Sequence, residues 1–225
     1  LLSSDNIKSV VDIKSINSLE GKAKSTISLT YSNSSENPYL IGELRTDMVG
    51  FRLDMFSPLK KIKEEKKNLY IKSNLMEDTK YFDISYDTFD MRISQGAEYF
   101  NINVVSPALN GSIRIPESAT DENKILARLQ YLDLNQFSGV ADPREYLPMK
   151  LQIKKVKIYN SFFNNFNLYT STHSDGMSID KISFANEYLT MDGQGKWIDN
   201  SSGQITFFDG TFNSVNFGKS LENFG

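Results

Sequence analysis

The chain has no cysteine and only one histidine among its 225 residues. Without thiols there is no disulfide, no thiolate metal site and no thiol nucleophile, although this absence names no compartment. The single histidine, His173, lies in "STHSDG", where Ser, His and Asp are immediate neighbours. A catalytic triad needs those groups to converge in space, so the segment reads as an exposed turn. A basic excess is missing too: 25 Lys and Arg against 28 Asp and Glu leave a formal charge of -3, which supplies no global field for nucleic acid. No apolar run reaches the roughly 18 residues a membrane-spanning helix needs. The sequence opens at Leu1 without an initiator Met, so a cut from something longer is expected.

What is present is alternation. In "LPMKLQIKKVKIYN" the apolar Met149, Leu151 and Ile153 are separated by long polar or cationic side chains, as in a strand with one oily and one wet, positively charged face. Lys154 and Lys155 break the period once. An extra residue there, inserted as a β-bulge, returns Val156 and Ile158 to the face of Leu151. The same spelling recurs at Ile27, Leu29 and Tyr31, at Phe51, Leu53 and Met55, and at Phe82, Ile84 and Tyr86. It continues at Phe89, Met91 and Ile93, at Phe100, Ile102 and Val104, at Ile113 and Ile115, at Phe162, Phe166 and Leu168, and at Ile205 and Phe207. Turn chemistry separates the runs, with "NSSENP" at 33–38, "NG" at 110–111, "SDG" at 174–176 and "DNSSG" at 199–203. "SPLKKIKEEKKN" has room for a turn or two of helix after Pro58, and the alternation of Ile125, Ala127, Leu129 and Tyr131 favours a strand in "DENKILARLQYLDL". The pattern is that of an all-β antiparallel meander.

Several segments imitate functional motifs. "DNSSGQITFFDG" starts like a calcium loop at Asp199 but has Gln204 and Gly210 where Gly and Glu are required. "GQGKW", Gly193 to Trp197, lacks the third glycine of a dinucleotide fingerprint and opens no helix, so a close backbone approach in a strand is the plainer reading. Acidic pairs such as Asp83 and Asp87 have no nameable partner for acid/base work. The mixed-sign run "KKIKEEKK" at 60–67 reads as a solvated loop, with a headgroup-touching site as the sharper alternative. Asn33, Asn110 and Asn200 open Asn-x-Ser sequences of a kind frequent by chance in an Asn- and Ser-rich chain. No enzyme activity, metal or cofactor is expected.

Five stretches resemble, in order and spacing, the YhdP-type AsmA-like proteins. They are "DMVGFRLDMFSPLKK", with Gly50, Pro58, Leu59 and Lys61; "LNGSIRIPES"; and "ADPREYLPMKLQIKKVKI", with Asp142, Pro143, Leu147 and Pro148. The others are "LTMDGQGKW", with Gly195 and Trp197, and "FNSVNFGKSLENFG", with Gly218, Lys219, Leu221 and Gly225. The likeness runs from about residue 40 to the end. It implies that residues 1–225 are a single all-β segment, the C-terminal part of a longer periplasmic protein anchored in the inner membrane. By that resemblance the fold is an elongated antiparallel sheet curled into a groove with little helix. The implied activity is passive phospholipid transport between inner and outer membranes, with acyl chains and the two membranes as partners.

The side chains expected to line the groove are Phe51, Leu53, Met55, Phe82, Ile84, Phe89, Met91, Phe100, Ile102, Ile113, Ile115, Met149, Leu151, Ile153, Phe166 and Leu168. Alternation alone fits equally a β-sandwich whose apolar faces close on one another, as in a binding or scaffold module of the envelope. The aromatic and Met content of the presumed inner face favours a mobile ligand, since such side chains adapt.

Overall fold

The computed structural model describes residues 2–3, 19–33, 39–54, 59–74, 81–137, 142–200, 203–216 and 218–219. Met55 and Pro58 lie outside the described residues. Their contacts group into two compact units, one built on Leu1–Gly96 and the other on Ala97–Asn103, Pro107–Gln136 and Val140–Gly225.

The first unit contains β1 (Leu2–Ser3), β2 (Leu19–Ala23), β3 (Ser25–Ser32), β4 (Tyr39–Thr46) and β5 (Phe51–Leu53). It continues with β6 (Leu69–Asn74), β7 (Tyr81–Tyr86) and β8 (Phe89–Gln95). Strands β3-β4-β6-β7-β8 form one antiparallel ladder in chain order, while β1-β2-β5 make a separate small sheet. Two glycines let the small sheet close. Gly50 has φ +98°, and a Cβ there would stand 2.2 Å from the Lys22 carbonyl oxygen; one on Gly21, at φ +109°, would meet the Gly50 carbonyl at the same distance. The expected helical turn in the charged run is not formed among residues 59–68. Lys61 instead bridges Leu53, each donating its N–H to the other's carbonyl at 2.9 Å.

The second unit contains β9 (Tyr99–Val105) up to Asn103, with β10 (Leu109–Pro116), β11 (Ile125–Asp133), β12 (Met149–Ile158), β13 (Ser161–His173), β14 (Gly176–Ala185), β15 (Leu189–Asn200) and β16 (Gly203–Ser214). These too neighbour one another in chain order. One pair departs from the antiparallel expectation: β11 and β12 run parallel. A parallel pair needs a long return connection, and residues 134–148 supply it, with single 3-10 turns at Leu134–Gln136 and Pro143–Glu145. "NG" at 110–111 is not a turn but lies inside β10, where the register to β11 shifts and Gly111 adopts φ +150°.

The phase slip expected at Lys154 is real, and three strands share it. Leu129 and Leu132, Ile153 and Val156, and Phe166 and Phe163 are all buried, each pair with one residue more between them than alternation allows. The added residues are Gln130, Lys154 and Asn165, side by side in β11, β12 and β13. Because all three strands lengthen together, pairing is unshifted from Ile153↔Phe166 to Val156↔Phe163. The mismatch surfaces only at the flanks, as register shifts between β10 and β11 and between β13 and β14. Asn165 takes it up at φ +53°, a left-handed conformation that Asn tolerates better than most residues. Phe162, expected to face inward, consequently points outward at 43% exposure, and Phe163 takes the interior position at 0%.

Candidate functional site: an apolar face in each unit

Residues opposite one another in a ladder share a face. In the first unit this places Ile27, Leu44, Ile71, Ile84 and Met91 in one uninterrupted apolar row across five strands. Leu29, Phe82 and Ile93 lie in the next row, interrupted by Gly42 and Ser73. The reverse face is polar and internally paired. Tyr70 donates to Glu43 at 3.0 Å, Arg45 pairs with Glu43 at 3.2 Å, and Arg92 clasps Asp83 with bonds of 2.6 and 2.8 Å. The Arg92 hydrogen bond holds the Asp83 carboxyl below its usual range.

One end of this apolar face is roofed by protein. Leu19, Ala23, Met48 and Phe51 close over Tyr86, with Leu53, Leu59 and Leu69 packed around them. Phe51 and Leu53, expected in the groove, therefore belong to the small sheet, and Phe51 is only 1% exposed. Tyr86 donates its hydroxyl to the Leu59 carbonyl at 3.1 Å, and burial pushes its pKa up to about 12. Lys61 is likewise 1% exposed rather than solvated, its Nζ donating to the Phe51 and Ile62 carbonyls at 2.8 Å each. Burial lowers its pKa. Away from this roof the face opens at edge strand β3, where Ile27 is 64% and Leu29 67% exposed, while Leu44, Ile71, Ile84 and Met91 are half-buried.

The second unit repeats the plan. Ile113, Ala127, Leu151, Leu168 and Ile182 form a row that ends against Gly193 and Gly210. A Cβ on either glycine would come within about 2.5 Å of the Phe208 ring, so their bareness lets that ring lie along the sheet. Deeper along the face, Ile153, Val156, Phe163 and Phe166 are buried, and Phe184 meets Phe163 edge-on at 4.9 Å and stacks on Phe166 at 6.0 Å. Met149, Leu151, Leu168, Ile113 and Ile115 are half-buried, as are Phe100 and Ile102 on β9. Phe208 and the exposed Phe212 continue the apolar side chains onto β16.

The return connection roofs one end here as well. Asp142 caps the turn at Pro143 by accepting from the Arg144 N–H at 2.9 Å, and Arg144 reaches Asp142 at 2.7 Å and Asp199 at 2.9 Å. That guanidinium holds the Asp142 carboxyl low. Pro143 and Pro148 are fully buried, and Tyr146 packs against Trp197 at 5.3 Å. The Met149 N–H donates to the hydroxyl of buried Thr170 at 3.0 Å. Gly195 sits in mid-strand β15, directly opposite Phe208, and the exposed Gly218 precedes Lys219, whose Nζ lies 5.1 Å from the Tyr188 ring centre.

The Nδ1 of His173 accepts the Asp175 N–H at 3.2 Å within the turn. Among the described residues no group of His, Asp and Glu is arranged to hold a metal ion. The apolar faces are the feature left to explain. Residues that single-run alternation did not place on them are Leu44 and Ile71, whose partnership exists only across strands, and Phe163, concealed by the extra Asn165.

No curated protein and no solved structure matches the chain. The YhdP protein family matches residues 76–225, which cover all of β7 to β16. With well over half of its length so matched, the chain belongs to the YhdP family.

Proposed function

We propose that this chain is a segment of a passive phospholipid conduit in the cell envelope, periplasmic and part of an inner-membrane-anchored protein. Acyl chains lie on the apolar faces, sheltered by curling of the sheet, while headgroups stay wet. The observation that carries the reading is the row Ile27, Leu44, Ile71, Ile84 and Met91, continuous over five strands and polar on its reverse, half-buried at Leu44 to Met91 and exposed at Ile27. A sheet face of that kind is costly in water and natural for a lipid-facing surface. A 16-carbon chain left in water would cost on the order of 13 kcal/mol at about 0.8 kcal/mol per methylene, whereas transfer from bilayer to such a face is close to neutral. The row therefore lowers a barrier without catalysis, and any directional drive comes from elsewhere.

The test is site-specific photo-crosslinking in cells. A benzophenone side chain at Leu29 or Leu168 should yield phospholipid adducts, and one at Ser28 or Asn167, on the reverse face, should not. Adducts to protein alone at all four positions would replace the conduit with a closed core.

A further inference from the structure

The reverse face of the second unit carries a charge pattern that acyl-chain transport leaves unexplained. Strands β9, β10, β12 and β13 contain no acidic residue, and the one in β11, Asp133, is engaged by Lys157 at 3.3 Å. The same strands carry Arg114, Arg128, Lys150, Lys154 and Lys155, all exposed. In a chain of net charge -3 this is a local concentration of one sign. The first unit differs: there Arg45 and Arg92 face Glu43 and Asp83 on neighbouring positions of their own sheet.

Among the described residues none of these five cations forms an ion pair. Three stand over aromatic rings instead, Arg114 at 3.5 Å from the Tyr99 centre, Lys155 at 4.1 Å from Phe162 and Lys150 at 5.9 Å from Tyr169. A ring face steadies a cation without neutralising it, so its outer side stays available to an anion. The five cations do not surround a cleft. From the ladder register they spread over β10 to β12, roughly 10 Å across the strands and roughly 17 Å along them.

We infer that this face docks on a bilayer surface carrying anionic headgroups. Long, separately mounted cations interleaved with Tyr99, Tyr169 and the exposed Phe162 suit a laterally mobile layer of negative charge, with aromatic rings at headgroup level. A protein partner with fixed carboxylates would be met better by a shaped site. The cations lie on the opposite side of the sheet from Leu151 and Leu168, so the unit holds a membrane with one face and acyl chains with the other.

The experiment is co-sedimentation of the 225-residue chain with vesicles of phosphatidylcholine containing or lacking phosphatidylglycerol. Binding should require phosphatidylglycerol and weaken with salt. Replacing Lys150, Lys154 and Lys155 together by Gln should lower the partition coefficient on the order of 100-fold, since each cation near an anionic leaflet contributes about fivefold. The equally charged change Lys22→Gln, Lys24→Gln and Lys66→Gln, on exposed residues of the first unit, should leave it within about twofold. Equal losses from the two triple variants, or binding indifferent to phosphatidylglycerol, overturn the assignment. So does competition by soluble polyglutamate as effective as that by vesicles, which would point to an acidic protein. Leu29→Asp, which should abolish lipid adducts, should leave vesicle binding intact, so failure of the conduit and failure of the docking face give different results.

Discussion

Truncating Phe163 separates the packed part of the apolar face from its open part. The ring is fully buried, opposite Val156 in the ladder and edge-on to Phe184 at 4.9 Å. Phe163→Ala removes a buried ring and leaves a cavity, a loss of about 3–5 kcal/mol. Leu29→Ala removes a side chain that is already 67% exposed, so the loss is under about 1 kcal/mol from the third that is covered. With an m-value of about 2–3 kcal/mol/M, the urea midpoint of Phe163→Ala falls by about 1–2 M, whereas that of Leu29→Ala moves by less than about 0.5 M. The single tryptophan, Trp197, reports the second unit by fluorescence, and far-UV circular dichroism reports both. A Leu29→Ala loss as large as that of Phe163→Ala would mean the open row is packed against protein, and the lipid reading would lose its basis.

Two further predictions concern the roof over the first unit. The raised pKa of Tyr86 means the folded chain retains a proton that the unfolded chain gives up near pH 10, so stability is complete below pH 10 and declines as pH rises toward 12. At about 1.4 kcal/mol per unit, roughly 3 kcal/mol is lost across that window, and Tyr86→Phe should show no such loss when unfolding is followed against pH. Lys61, buried and with a lowered pKa, should be the least modified amine of 60–67 when the folded chain is acetylated and digested for mass spectrometry; labelling equal to that of exposed Lys60, Lys63 and Lys66 would refute its burial.

Much of this was legible from side-chain order alone. One-sided strands at Ile27 to Tyr31 and at Met149 to Ile153 follow from period-two spelling, and the doubled lysine at 154–155 betrayed the slip because two polar residues in succession cannot both occupy a buried face. The same slip in β13 was invisible, since Phe162 and Phe163 are chemically alike and Asn165 looks like any polar residue. Strand direction leaves no trace in periodicity, so the parallel pairing of β11 with β12 could not be read. Asn110-Gly111 has the composition of a hairpin turn, yet here the glycine answers a register shift. Lys61 was hidden in a run of charges in which Lys60, Lys63 and Lys66 are exposed, because burial of one amine depends on carbonyls brought up by Phe51 and Ile62. The two roofs were equally hidden, being contacts between segments remote in sequence.

The slip shared by Gln130, Lys154 and Asn165 bears on how such a chain can change over generations. Losing a single codon at any one of those sites would put Lys157 where Val156 now lies, or its equivalent in a neighbouring strand, and unhook that strand from both partners. Losing all three at once would keep the strands matched, but three simultaneous deletions at separated sites are not reachable by one genetic event. The lengths of β11, β12 and β13 are thus locked to one another, so insertions and deletions are channelled into the turns.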